Sequence, residues 1–482
     1  MEWYHYLLIG LGALVILFFA IILIRALAFK PKNNTKILPG EEVFDKDRAV
    51  DCLRELLTCK TISYKDTSLE DNLEFDKLIA KLPTLYPNVW QKCPLLRLPD
   101  RALLFKWEGK NHDNPSVMMS HYDVVPVDES GWEKPAFDGI IEDGVLWGRG
   151  ALDTKVTLNG AMFSADTLIA QGFVPENDVY FAFSGCEETN GNGAVNIVNW
   201  FKEQGITPAL VVDEGGGVVE NVFPGVKVPC GLIGIAEKGL LEVEYVAKSN
   251  GGHASAPKPN SPLIAVSKAV CKVENNPFKA HLTKPVKEMF DTLGRHSSFV
   301  YRLIFANLWC FKWVLDLLSK KQGGEMNALM RTTTAFTQAK GSKASNVIPS
   351  TASIVSNMRL NPMDTVDSAK AYLEKTVNDD KVEIKFLNGI NPSAISETYC
   401  PAYDKVAQAI ASTWKGAIVS PYLMVQCSDS RHYGSISNHV YRFSAMDLTS
   451  EERATIHGHN ERIRIECLHR SVEFYLRLLR QC

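Results

Sequence analysis

Four short apolar runs in this chain each end in residues that prefer water, and that repeated ending constrains the fold more than any other feature. "SVMMSHYD" leads to His121 and Asp123, "VYFAFSGCEE" to Glu187 and Glu188, "ALVVDEGG" to Asp213 and Glu214, and "YLMVQCSDSRHYG" to Asp429, Arg431 and His432. Such runs, alternating with helical patterns, read as buried strands of an α/β sheet covered by helices. In open sheets of this class ligands sit in the crevice beyond the carboxyl ends of the strands. "GVLWGRGALDTK" adds Asp153 just ahead of an alanine-rich helical pattern at 154–170. Carboxylates and an imidazole gathered in one crevice repel one another unless something positive holds them, and a divalent cation is the economical answer. Mixed imidazole and carboxylate donors suit zinc, cobalt or manganese better than calcium or magnesium, and the surplus of carboxylates suggests two bridged ions about 3.5–4 Å apart. Each motif alone is more often a turn or a solvated helix start; their joint placement at strand ends is what points to metal.

Composition narrows the classes. The chain has 482 residues, 46% of them hydrophobic, which suffices for a large core and suggests more than one domain. A formal net charge of −3 offers no basic field, so nucleic acid is not an expected partner. The 11 cysteines are scattered, odd in number and without a CxxC pair, which fits reduced thiols better than a disulfide framework or a zinc ribbon.

Residues 1–29 stand apart. Tyr6 to Ile24 is an uncharged run of 19 residues, long enough to cross about 30 Å of hydrocarbon as a helix. A cleaved signal peptide is the rival, because Ala26-Leu27-Ala28 has the small-residue spacing; the run is long for one, and no basic residue precedes it. We therefore expect an uncleaved single-pass anchor. Arg25, Lys30, Lys32 and Lys36 follow the span and Glu2 precedes it, which by the positive-inside tendency places the large domain on the cytoplasmic side. The lone sequon, Asn33-Asn34-Thr35, falls in a polar tether at 30–40 and does not decide the orientation.

From 41 to 235 the text alternates helix and strand. At "PCGLIGIAEKGLLEVEYVAKS" it changes to alternating strand, followed by a helical pattern at 261–275, an apolar segment "SSFVYRLIFANLWCFKWVLDLLSKK", and strands at 331–339 and 351–359. We read 236–392 as an inserted α+β domain and 393–482 as the return to the first. The last helix, about 461–480, carries Ile465, Leu468, Val472, Leu476 and Leu479 on one face.

In order and spacing, "SHYDVVPVDESGWEKPAFDG", "GVLWGRGALDTK", "SGCEETNGNGA", "VVDEGG", "GGHASAP", "NVIP" and "IHGHNE" resemble the co-catalytic di-zinc family of aminoacylases, carboxypeptidase G, succinyl-diaminopimelate desuccinylase and yeast carboxypeptidase S. "RTTTAFT" and "SDSR" look most like the branch of carboxypeptidase S and the N-fatty-acyl-amino-acid synthase/hydrolase. The resemblance implies an α/β di-zinc exopeptidase-like catalytic domain, a mixed sheet flanked by helices, with an inserted lid and dimerisation domain. It implies His121 and Asp213 as ligands of one Zn2+, Glu188 and His457 of the other, and Asp153 as the bridge, with Co2+ or Mn2+ as substitutes. Glu214 competes with Asp213, and His459 with His457. Asp123 would orient His121 without touching metal. Glu187 matches the family's general base, and His253 the imidazole lent to a neighbouring subunit's site. Asn346, Arg359 and Arg431 fall where the substrate's carboxylate is bound.

The implied reaction is amide hydrolysis by metal-activated water on a peptide or an N-acyl amino acid. The apolar helical segment at 299–318 reads equally as packing within the lid and as a wall for an acyl chain. A serine hydrolase is disfavoured, since no G-x-S-x-G occurs.

Overall fold

A computed structural model describes residues 2–32 and 35–482, so Asn33 and Asn34 of the sequon lie outside the described residues. The described residues form two main sheets, with a two-stranded ribbon and a small three-stranded sheet beside them. The larger is mixed and nine-stranded, in the order 95–98, 102–107, 177–184, 111–121, 210–213, 440–442, 230–237 and 418–424, with 217–219 paired to 230–237. Its centre is parallel: the strand ending at His121 runs alongside both the strand ending at Ser184 and the strand ending at Asp213. Central parallel strands are covered on both faces, which is why Pro115 to His121 is buried at every position.

Alternate residues of these strands feed two cores. Met118, Phe181 and Val212 pack with the helices Lys46–Leu57, Lys155–Ala170, Pro401–Thr413 and Ile465–Leu479. Val117, Met119, Tyr180 and Val211 pack on the other face against Gly193–Glu203 and Tyr433. The terminal helix is buried more widely than one stripe, since Phe474, Tyr475 and Leu478 are covered as well as Leu468, Val472, Leu476 and Leu479. Its partner, Lys155–Ala170, has small residues where the two approach.

The smaller sheet is antiparallel, in the order 333–340, 351–360, 239–248 and 382–390, and is covered by the helices Pro262–Asn275 and Val366–Val377. The chain passes between the sheets at Lys238. There Nζ donates to the carbonyls of Ala328 and Arg331, each at 2.8 Å, and lies 3.4 Å from Thr333 Oγ1. The returning segment runs beside the outgoing one: Ser393 N–H donates to the Glu237 carbonyl and Glu237 N–H to Ser393 Oγ.

The helices between 284 and 330 differ from the expectation that they belong to the insert. Val286, Met289, Phe290 and Leu293 pack on Ile418, Tyr422 and Leu423 of the larger sheet's edge strand, with Phe305, Leu315 and Leu329 in the same core. Their amphipathic pattern announces a buried face but not which sheet supplies the cover. Ala26 and Phe29, at the end of the N-terminal helix Trp3–Ala28, join this core.

A Cβ placed on Gly160 would lie 2.7 Å from Tyr475 Cδ2 and 3.0 Å from Ser471 Oγ, both buried in the facing helix. Gly160→Val is therefore expected to destabilise the protein by about 1–3 kcal/mol through overpacking, measured as a shift in denaturant midpoint.

Candidate metal centre

Strand ends deliver the site. His121 is the last residue of its strand and is buried. Its Nε2 lies 3.0 Å from Asp153 Oδ1 and 3.4 Å from Glu214 Oε1. The other oxygen of Asp153, Oδ2, is 3.0 Å from His457 Nε2, which also lies 3.1 Å from Glu188 Oε2. Asp153 thus stands between two imidazoles with one oxygen turned to each. His457 side chain is half exposed, so this end of the cluster is open to solvent while the His121 end is closed.

Asp123 is fully buried and organises the arrangement. Its carboxylate accepts the backbone N–H groups of Glu187 and Glu188, each at 3.1 Å, and the Ser63 hydroxyl at 2.7 Å. The His121 Nδ1 is 3.0 Å from the Asp123 carbonyl and 3.4 Å from its carboxylate. One side chain therefore fixes the ring of His121 and the turn that carries both glutamates.

Glu461, the last residue of "HGHNE", has a role that sequence reasoning missed. Buried, it accepts the N–H groups of Gly150, Leu152 and Asp153, and pairs with Arg149 Nη1 at 2.7 Å. It clamps the loop that presents Asp153 to the loop that presents His457. Its position in the quoted motif was the only signal.

Asp213 is in neither ligand-capable group found among the described residues. The Asp213 carboxylate accepts the Ser430 N–H at 3.0 Å. Glu214, one residue on, reaches His121 instead, and two ligand-capable groups form: His121 with Glu187 and Glu214, and His121 with Asp153 and Glu188. The chain can turn sharply after Glu214 because Gly216 has φ +59° and a Cβ there would lie 2.2 Å from the Leu232 carbonyl oxygen. Of the two histidines, His457 is in the cluster, while the His459 ring lies against Gly131.

The other expected residues lie around the cluster. Arg431 donates through Nε to the Ser428 carbonyl, and its Nη1 is buried without a partner among the described residues. Arg359, on the smaller sheet, reaches across to the same loop, with Nη1 3.4 Å from Cys427 Sγ. His253 and Asn346 are exposed on a short ribbon pairing 252–253 with 347–348. The Ala254 N–H donates to the Asn346 carbonyl, and His253 Nδ1 bonds Ser255. Neither reaches the cluster of its own chain.

A model of peptidase family M20/M25/M40 matches residues 117–481. The chain belongs to this family. It is 34% identical over 439 residues to the probable carboxypeptidase S-like 2 of Dictyostelium discoideum, covering 89% of this chain and 84% of that protein. It is 32% identical over 485 residues to the N-fatty-acyl-amino acid synthase/hydrolase PM20D1 of Xenopus tropicalis, covering 98% and 93%. Its fold is shared with the M20 family metallo-carboxypeptidase Sso-CP2 from Sulfolobus solfataricus, at a TM-score of 0.66 and 19% identity over 90% of this chain and 98% of that one. The chain is accordingly a hydrolase of the M20 type.

The donor set fits cations. Burial pushes the carboxyl of Glu214 up to about 8 against the pull of His121, and burial followed by the charge of Asp213 pushes Asp429 up to about 7. Hydrogen bonds donated to Asp153 and Glu188 lift His457 to about 10. The cluster is thus an excess of acids compensated by protons, and Glu188 Oε1 is a buried oxygen with no partner among the described residues. Divalent ions would replace those protons and occupy that oxygen.

Two outcomes follow. Glu214→Gln is expected to lower bound metal and Asp213→Asn to leave it unchanged, read by elemental analysis of purified protein. Glu461→Ala, which strands Arg149 in the interior, is expected to cost about 3–5 kcal/mol, measured by denaturant unfolding.

Proposed function

We propose that this chain is a two-zinc hydrolase of amide bonds in substrates that carry a free carboxylate beside the amide nitrogen. Asp153 carries the reading, because its two oxygens face two different imidazoles, each with its own partner acid. His121, Asp153 and Glu214 would hold one ion, and His457, Asp153 and Glu188 the other. Bound there, the pair would polarise the scissile carbonyl and bring the pKa of water toward neutrality.

The remaining work falls to the chain. Glu187 takes the proton from water on its carboxylate and returns it to the leaving nitrogen. Burial holds its carboxyl well above the usual range, with His121 opposing and Asp429, Glu214 and Glu188 adding to the rise, as suits a group that must both accept and give a proton. Asp123 holds the Glu187 backbone and so fixes where that carboxylate stands. Arg431, with its unpartnered Nη1, and Arg359 from the smaller sheet seat the substrate's carboxylate. His253 and Asn346, exposed on their ribbon, serve the site of a second copy in a dimer formed through the insert, where His253 stabilises the oxyanion.

A C-terminal peptide bond and an N-acyl amino acid both satisfy this chemistry, and the relatives are named for one or the other. A second reading, in which N-fatty-acyl amino acids are the main substrates for hydrolysis and condensation, is supported by the relatives named for that activity. The N-terminal helix is read as a retained single-pass anchor. Its outer faces are apolar and exposed, yet Ala26 is fully buried in the body and Arg25 donates to the Ala306 carbonyl, contacts that a cleaved signal would lose.

Glu187→Gln is expected to retain metal and lose about 10²–10⁴-fold in turnover. A chelator should abolish wild-type activity and zinc restore it, assayed on C-terminal dipeptides and on N-acyl amino acids from acetyl to long-chain. Full turnover in the variant, or activity that survives chelation, would overturn the mechanism.

A further inference from the structure

The helix Leu308–Gln322 turns an unusual face outward. Trp309, Trp313 and Leu317 follow one another at helical spacing and are 59%, 68% and 59% exposed, whereas Leu315 and Ser319 on the opposite side are buried against the body. A contiguous row of two tryptophans and a leucine marks an interaction surface rather than ordinary exposure.

Its position identifies the occupant. The N-terminal helix docks here: Asn307 Nδ2 donates to the Ile22 carbonyl, Arg25 Nε and Nη2 donate to the Ala306 carbonyl, and the ring of Phe18 packs edge-on to Trp309 at 5.8 Å. Phe18 lies seven residues, about 10 Å of helix, from Arg25 toward the middle of the apolar run. Trp309 therefore stands at the depth of Phe18, inside the layer that Tyr6 to Ile24 would occupy. Trp313 is one turn, about 6 Å, farther along its helix. Even if that helix pointed straight out of the membrane, Trp313 would remain at or below the level of Arg25. Tryptophan is favoured at this depth, where an apolar ring meets the headgroups. Exposed Lys312, Lys320 and Lys321 carry charge that can extend to lipid phosphates from the same helix.

We infer that Trp309, Trp313 and Leu317 insert into the interfacial layer of the bilayer, as a second membrane contact that holds the catalytic body against the surface beside its anchor. The depth argument rests on the anchor reading given above, and the two can be tested separately.

The full chain is reconstituted into phosphatidylcholine vesicles with ordinary or brominated acyl chains, and tryptophan emission is compared between wild type and Trp313→Phe. With nine tryptophans present, the wild-type minus variant difference isolates Trp313. The difference signal is expected to be strong in ordinary lipid and largely lost in brominated lipid. Alkaline extraction of the same vesicles reports the anchor. A Trp313 signal that survives brominated lipid overturns the inference whether or not the protein resists extraction, and would be the result if a second copy or another protein covered this face. Loss of the signal supports it in either case, and loss without resistance to extraction would show that the patch binds lipid while the anchor reading fails.

Discussion

The carboxylate of Asp123 is the contact on which the site depends. Fully buried, it joins three parts of the chain: the strand that ends at His121, the turn of Glu187 and Glu188, and the segment carrying Ser63. A buried charge is tolerable when donors surround it, and here two of the donors are backbone N–H groups of the residues assigned as base and ligand. The position of the reacting groups is therefore set by main chain, which has far less freedom than a glutamate side chain. Glu461 does the same for the opposite half through the N–H groups of Gly150, Leu152 and Asp153. Two buried acids, neither a proposed ligand, hold the proposed ligands in place.

Crowding explains why such anchorage is needed. Glu187, Glu188, Glu214 and Asp429 all have their carboxyls pushed up, chiefly by burial, while Asp153 is drawn well below the usual range because the hydrogen bonds of His121 and His457 outweigh its burial. Of these five acids, the one between the imidazoles is the only one whose carboxyl is lowered. That contrast follows from geometry, since Asp153 alone of these acids stands between two imidazoles.

Much of this was legible in the sequence, for specific reasons. The strands ending at His121, Ser184 and Asp213 could be read because buried parallel strands are apolar throughout and stop where chemistry begins. The reach of Glu214 to His121 could not, since Asp213 and Glu214 are neighbours and only the path of the chain beyond the strand, with its turn at Gly216, brings the Glu214 carboxylate there. Glu461 was visible only as a motif letter, because its partners lie some 300 positions earlier and no local pattern links them. The helices at 284–330 were legible as helices but not as cover for the strand 418–424, because amphipathicity reports that a face is buried and not against what.

The crossing at Lys238 has a mechanical consequence. Outgoing and returning segments lie side by side, tied at Glu237 and Ser393, and the Lys238 ammonium is gripped by the end of the helix and strand that follow. Two parallel straps bend readily about the line across them but resist sliding past one another. Sliding of the insert along the larger sheet would break these ties together. The ties at this crossing hold the frame of the smaller sheet, and with it the placement of Arg359 beside Cys427, from within the chain.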